Sequence, residues 1–275
     1  RPALEAFGVS KAFGGIQAAD GVNLTIAAGE VVGLIGPNGA GKTTVFDLLS
    51  GFLVPDAGRI ELLGQAVTRL GPAARAQRGL GRCFQDARIF PSLTVAQNVA
   101  AALERHLPVR DHLAGALALP AMRDQEDELA WSVADLVEIM GLGGYRDAFV
   151  SELSTGTRRL VELAMAIGHD ADVLLLDEPS SGVAQREVEA LAPLLRRIRT
   201  ETGCAMVVIE HDMPLVTAIS DRLVAFESGQ VVVSGPPADV LADPRVIASY
   251  LGEDVAAVQR SGSGTPERVG GAGPR

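Results

Sequence analysis

Lysine is almost missing from this chain. Of its 24 basic residues only Lys11 and Lys42 are lysine, and the arginine bias suggests a GC-rich coding sequence. A lysine kept against such a bias invites a chemical explanation. Cysteine is scarce as well. Cys83 and Cys204 cannot build a framework of bridges; they fit small core residues in a reducing cytoplasm. No run of about eighteen apolar residues occurs, so no membrane-spanning helix is expected. The opening RPALEAFGVS lacks the apolar h-region of a signal peptide. Net positive charge is absent too. At −10 the chain is a poor candidate for broad binding to nucleic acid or anionic lipid, so a membrane partner is expected to be a protein.

What is present is a large apolar fraction, 47 % of 275 residues, enough for a sizeable core in one large domain or two small ones. Short apolar runs alternate with helical patterns. EVVGLIG (30–36), DVLLLDE (172–178) and CAMVVIEH (204–211) read as buried strands, and KTTVFDLLSGF (42–52) as a helix. RLVAFESGQVVVSG (222–235) reads as a hairpin turning at Ser228-Gly229. Continuous apolar strands separated by helices imply an α/β fold, with a mostly parallel sheet covered on both faces. Residues 94–168 read as an almost wholly helical inserted subdomain, with GLGGYRD (141–147) a loop inside it. Residues 1–253 are expected to form one domain. The final stretch 254–275, with RSGSGTPERVGGAGPR, is rich in Gly, Ser, Pro and Arg without periodicity and reads as a disordered tail.

One of the two lysines stands in GPNGAGKTT: Gly36, Pro37, Asn38, Gly39, Ala40, Gly41, Lys42, Thr43 and Thr44. This satisfies G-x-x-x-x-G-K-[ST] between a strand and a helix, the context a phosphate loop needs. Its glycines let successive N–H groups face a phosphate, and the helix N-terminus adds its dipole. Lys42 can reach the β- and γ-phosphates, and Thr43 can offer a hydroxyl to Mg²⁺. In VLLLDE, Asp177 is suited to hold Mg²⁺ through water, and Glu178 to orient and deprotonate an attacking water.

Together these residues resemble the nucleotide-binding subunit of ATP-binding cassette (ABC) transporters, over about residues 4 to 252. The motifs run in the family's order: GPNGAGKTT, CFQ (83–85), LSTGT (153–157), VLLLDEP and VIEHD (208–212). The resemblance implies a P-loop NTPase core with an antiparallel β region and an inserted helical subdomain. It implies ATP and Mg²⁺ as ligands. Phe13 sits where an aromatic ring stacks on adenine, Gln85 where a glutamine senses Mg²⁺ and the γ-phosphate, and His211 where a switch histidine contacts the γ-phosphate. Ser154 and Gly156 fall in the signature loop, usually L-S-G-G-Q, which closes on the ATP of a second subunit packed head to tail. Thr155 and Thr157 replace the usual Gly and Gln. Ala184 stands where Asp or Asn is common.

The finer wording is similar to the ATPases of branched-chain amino acid importers: KAFGGIQAADGVNLTIAAGEVVGLIGPNGAGKTTVFDLLSGF, GLGRCFQDARIFPSLTVAQNV and DPRVIASYLGED. The helical segment between Asn98 and Met122 also fits that branch. The ATPase of a lipid or lipopolysaccharide exporter, or of an amide or urea importer, is the alternative. The implied partners are transmembrane permease subunits, a second ABC ATPase subunit and, indirectly, a solute-binding protein, at the cytoplasmic face of the membrane. DARIFPSL (86–93) is expected to form part of the docking surface, with Phe90 either there or in the core. A P-loop GTPase would need N-K-x-D, which is missing. A translation or DNA-repair member would show two cassettes or a long coiled-coil insert, and a dead cassette would lack Lys42 or Glu178.

Overall fold

The computed structural model describes residues 1–84, 89–103, 120–183 and 185–249. Strands β1 (Pro2–Phe13) and β2 (Ile16–Ala27) turn at Gly14-Gly15 and pair antiparallel. β4 (Ala57–Leu62) pairs with the other edge of β1, and β5 (Gln65–Ala66) follows, in the order β2-β1-β4-β5. Along β2 buried Val22, Leu24 and Ile26 alternate with exposed residues, as a sheet covered on one face requires.

The second sheet has the order β10-β9-β3-β8-β7-β6. Its strands are β3 (Val31–Ile35), β6 (Leu80–Cys83), β7 (Val173–Asp177), β8 (Ala205–Ile209), β9 (Arg222–Glu227) and β10 (Gln230–Gly235). All neighbours are parallel except β9 and β10. The expected hairpin is therefore present. Ser228 and Gly229 both have positive φ (49° and 80°), as a tight two-residue turn demands.

The unbroken apolar runs follow from burial on both faces. Val173, Leu175, Ala205, Val207 and Ile209 point into one core with the antiparallel sheet and α1 (Lys42–Ser50). Leu174, Leu176, Met206 and Val208 point into the other. There they meet α3 (Val95–Leu103), α4 (Pro120–Ile139), α5 (Thr155–Gly168), α6 (Gln185–Thr202) and α7 (Met213–Ile219). Two short helices, α2 (Pro72–Ala76) and α8 (Pro237–Leu241), lie at the margins.

The helical span breaks at the loop expected at 141–147, and the break runs longer than its pattern implied. α4 stops at Ile139, and residues 140–154 form turns and two 3₁₀ segments, Gly143–Tyr145 and Val150–Glu152. Gly141 has φ 67°, which ends the helix, and Thr94 bridges to Phe149. Much of the segment between Asn98 and Met122, at 104–119, and the tail at 254–275 lie outside the described residues.

One charge is buried to hold α1 in place. Arg75, on α2, is fully buried. Its guanidinium donates to the carbonyls of Leu48 (2.6 Å), Leu49 (2.6 Å), Leu70 (2.9 Å) and Thr68 (3.1 Å). The first two lie at the C-terminal end of α1, the negative end of its dipole. Burial pulls the Arg75 pKa down to about 10, so the group stays charged at neutral pH. Arg75→Met leaves these carbonyls without their donor and should lower stability by about 3 kcal/mol. A urea titration of the variant against the parent checks this.

Candidate active site

Strand register sets the site. Leu34 pairs with Ile209, Ile209 with Asp177, and Leu176 with Cys83. The C-terminal ends of β3, β8, β7 and β6 therefore lie side by side, where ligands of parallel sheets bind. The phosphate loop, Glu210-His211, Glu178 and Phe84 leave from that one edge.

The loop from Gly36 to Gly41 fits a phosphate by shape. A Cβ on Gly36 (φ 146°) would run into the Phe226 carbonyl oxygen, and one on Gly41 (φ 100°) into the Ala18 carbonyl oxygen. Only glycine serves at both positions. The loop is tied down by the Gly229 N–H, which donates to the Ala40 carbonyl at 2.9 Å. Pro37, Asn38 and Gly39 span the turn, and Thr43 is exposed at the start of α1 beside partly exposed Thr44. Lys42 is buried, and its ammonium donates to the carbonyls of Gly36 (2.5 Å) and Pro37 (2.9 Å). The cation thus curls over its own loop.

Asp177 ends β7, 6 % exposed. Burial raises its pKa, against the pull of Arg82. Arg82 on β6 reaches Asp177 (3.1 Å), Asp47 of α1 (2.6 Å) and the Ser50 hydroxyl (2.8 Å). It also lies 4.8 Å from the Phe84 ring centroid, and its Nε is buried without a hydrogen-bond partner. It thereby links the phosphate-loop helix to the strand that carries Asp177.

Glu178 has φ 49°, a left-handed backbone that costs a non-glycine residue about 1–2 kcal/mol. Its N–H donates to Ile209 O at 2.9 Å, which helps to fix that turn. Its carboxylate is 3.2 Å from His211 Nε2. The fold therefore brings together two residues singled out separately in the sequence. His211 does not end a strand as expected. β8 stops at Ile209, and His211 stands in the turn before α7. The cause is Glu210, whose carboxylate accepts from the N–H groups of Ser180 (2.7 Å), His211 (3.0 Å) and Asp212 (3.3 Å). Glu210 is 2 % exposed. It escaped the sequence reading because its neighbours His211 and Asp212 carried the motif.

Ser154 caps α5, accepting from Thr157 N–H at 3.1 Å; its hydroxyl lies 2.9 Å from that of Thr157. Gly156 is buried in the first turn. Phe13 ends β1 and is 46 % exposed, so it is not a core residue. Lys11 Nζ lies 5.7 Å from its ring centroid while paired to Asp56 at 2.7 Å. Gln85 and Ala184 lie outside the described residues. Cys83 and Cys204 are free and buried, and burial raises both thiol pKa values, as expected of core residues.

Residues 19–181 match a family model described as ABC transporter. The chain belongs to the ABC transporter family. Residues 230–256 match a second model, described as a branched-chain amino acid ATP-binding cassette transporter. The chain is 38 % identical over 253 residues to the high-affinity branched-chain amino acid transport ATP-binding protein BraF of Pseudomonas aeruginosa, covering 92 % of this chain and 99 % of that one. It is 36 % identical to LivG of Escherichia coli, a protein with the same description, at the same coverage. It is 34 % identical to the lipopolysaccharide export system ATP-binding protein LptB of Escherichia coli, covering 91 % and 98 %. The structure of a nucleotide-free ATP-binding cassette from an ABC transporter superposes with TM-score 0.75 at 27 % identity, covering 91 % of this chain and 99 % of that one. An ABC transporter cassette in its ADP conformation superposes equally well, also with TM-score 0.75.

An ABC cassette of this kind is the ATP-hydrolysing motor of its transporter. No helix among the described residues is long and apolar enough to cross a membrane. The glycine cradle fits a nucleotide's phosphates. Thr43 hydroxyl and Asp177 carboxylate are hard oxygen donors, the chemistry Mg²⁺ prefers. Glu210→Ala removes the acceptor for three N–H groups behind Glu178 and His211. It should lower ATP turnover by about tenfold to hundredfold, with nucleotide affinity little changed. Steady-state ATPase assays beside fluorescent-nucleotide titrations measure both.

Proposed function

We propose that this cassette pairs with a second one, like or unlike, and sandwiches two ATP molecules to drive a permease importing branched-chain amino acids. The contact that carries the reading is Glu178 to His211, a carboxylate base beside an imidazole at the edge that also holds the phosphate loop. Lys42 and the loop N–H groups neutralise the β- and γ-phosphates. Thr43 and Asp177 would hold Mg²⁺, which would supply charge neutralisation; the resemblance gives Gln85 a part in sensing it. Glu178 takes a proton from the attacking water as its oxygen bonds to the γ-phosphorus and the bridge to the β-phosphate breaks. His211 holds the γ-phosphate in line, and Phe13 stacks on adenine. Ser154 and Gly156 offer a hydroxyl and a helix N-terminus to the partner's ATP.

The substrate class rests on the match at 230–256 and on the two branched-chain amino acid transport ATP-binding proteins, matched over 99 % of their length. LptB, at 34 % identity, keeps the lipopolysaccharide exporter as the second reading. Pull-down of the membrane partners followed by ligand screening of the associated binding protein separates them. Capture of exporter subunits in place of an importer permease would overturn the first.

Docking at the cytoplasmic face of the membrane is assigned to the region around Phe90. Of segment 86–93, residues 86–88 lie outside the described residues. Phe90 is 52 % exposed and so is no core anchor. Phe149, 48 % exposed, stands next to Val150, whose N–H donates to Leu93 O at 3.0 Å. Two exposed aromatics on adjoining segments suit an apolar helix end of a permease.

Glu178→Gln should abolish hydrolysis and trap an ATP-bound dimer, seen by light scattering; full turnover in that variant would sink the mechanism. Phe90→Ala should keep the ATPase of the isolated subunit and lose transport in the assembled complex. Normal transport would remove the docking assignment.

A further inference from the structure

Lys42 is taken by the phosphate loop, which leaves Lys11 as the lysine without a role. It stands on β1 two residues before Phe13, the ring read above as the adenine platform. β4 stops pairing with β1 at Ala57, opposite Ser10, so residues 11–13 run on with only β2 beside them. A two-stranded tip of this kind is marginally stable by itself. A stacking ring binds well only when it is already held in place.

Asp56, the residue before β4, takes the place of the missing strand. Its N–H donates to the Ser10 carbonyl at 2.8 Å. One carboxylate oxygen accepts from Ala12 N–H at 2.9 Å, and the other from Lys11 Nζ at 2.7 Å. The Lys11 ammonium, and after it the Ala12 N–H, holds the Asp56 carboxyl below its usual pKa, so the brace stays ionised at neutral pH. Lys11 Nζ in turn lies over the Phe13 ring, 5.7 Å from its centroid, within reach of a cation–π attraction. The cation takes one face of the ring. The ring is still half-exposed, which leaves the other face to a base.

An ion pair open to solvent adds little to stability, because water screens it and both side chains must be ordered. The side chains of Asp56 and Lys11 are 51 % and 19 % exposed. Their placement, on the backbone and on the ring of one hairpin tip, points instead to positioning. That tip is also tied to the phosphate loop. Asp20 N–H of β2 donates to Gly229 O at 2.9 Å, and Gly229 N–H donates to Ala40 O of the loop. The Ala18 carbonyl packs so closely on Gly41 that a Cβ there would collide with it. A ring fixed on the tip is therefore fixed relative to the phosphates.

We propose that Lys11 and Asp56 are positioning residues for the nucleobase: Asp56 anchors the Lys11 ammonium behind the Phe13 ring, whose open face then stacks on adenine. This rests on the reading of Phe13 given above.

Binding of ADP and of inorganic pyrophosphate to the full chain tests it, since the two share a diphosphate and differ by the adenosine. ADP is titrated by calorimetry, and pyrophosphate by its competition with ADP. In Asp56→Ala and in Lys11→Met the dissociation constant for ADP should rise about threefold to fivefold, the size of one cation–π contact at an exposed site. That for pyrophosphate should not change. Lys11→Arg, which keeps a cation for both Asp56 and the ring, should keep the parent's affinity. Added to Phe13→Ala, neither Asp56→Ala nor Lys11→Met should cause a further loss, because no ring is left to brace. Parental ADP affinity in Asp56→Ala and Lys11→Met would overturn the proposal. So would additive losses in the Phe13→Ala background, or an equal loss for pyrophosphate, the mark of a cation that binds phosphate directly. If Phe13→Ala itself left ADP binding unchanged, the reading of Phe13 would fall, and the proposal with it.

Discussion

The lateral alignment of four parallel strand ends is the constraint on which the site depends. β3, β8, β7 and β6 are held in register because their side chains alternate between two cores. A slip of one residue would send each apolar set to the wrong face, so register is strongly specified. Because the ends are level, loops far apart in sequence meet. Lys42 comes from the loop after β3, Glu178 follows β7, and His211 follows β8. The parallel order puts a cation, a carboxylate and an imidazole together on one edge.

A second layer of polar groups then fixes those loops. Glu210 collects three N–H groups, Arg82 joins Asp47 to Asp177, and Asn98 and Glu162 each take hold of a backbone unit. In a dry interior such groups must be partnered, and once partnered they confine the chain more narrowly than apolar packing does. The strained turn at Glu178 is one outcome, a carboxylate held where relaxed backbone would not place it.

What was legible from the residues alone was whatever chemistry demands at short spacing. The phosphate loop qualifies because its glycines, lysine and threonine act within one turn of chain. The strand ending at Asp177, with Glu178 next, and the hairpin at Ser228-Gly229 qualify for the same reason. Helical periodicity was less reliable: GLGGYRD (141–147) marked the loop, but nothing in the pattern marked the 3₁₀ turn at Val150–Glu152 before Ser154. Exposure of Phe90 and Phe13 was beyond reach, because an aromatic residue in a short motif reads alike in a core or on a surface.

The sequence by itself determined the reaction class, the nucleotide loop and the alternation of buried strands with helices, all written in local patterns. Only the tertiary structure decided which charged side chains act as braces. Glu210 reaches Ser180, Glu162 reaches Phe84 and Arg82 reaches Asp177 across non-local strand and helix contacts, and a charged residue at a strand end looks the same whether it meets solvent or a buried N–H. The contact between Glu178 and His211 belongs to the same class, because strand order, and not spacing along the chain, sets the distance between them.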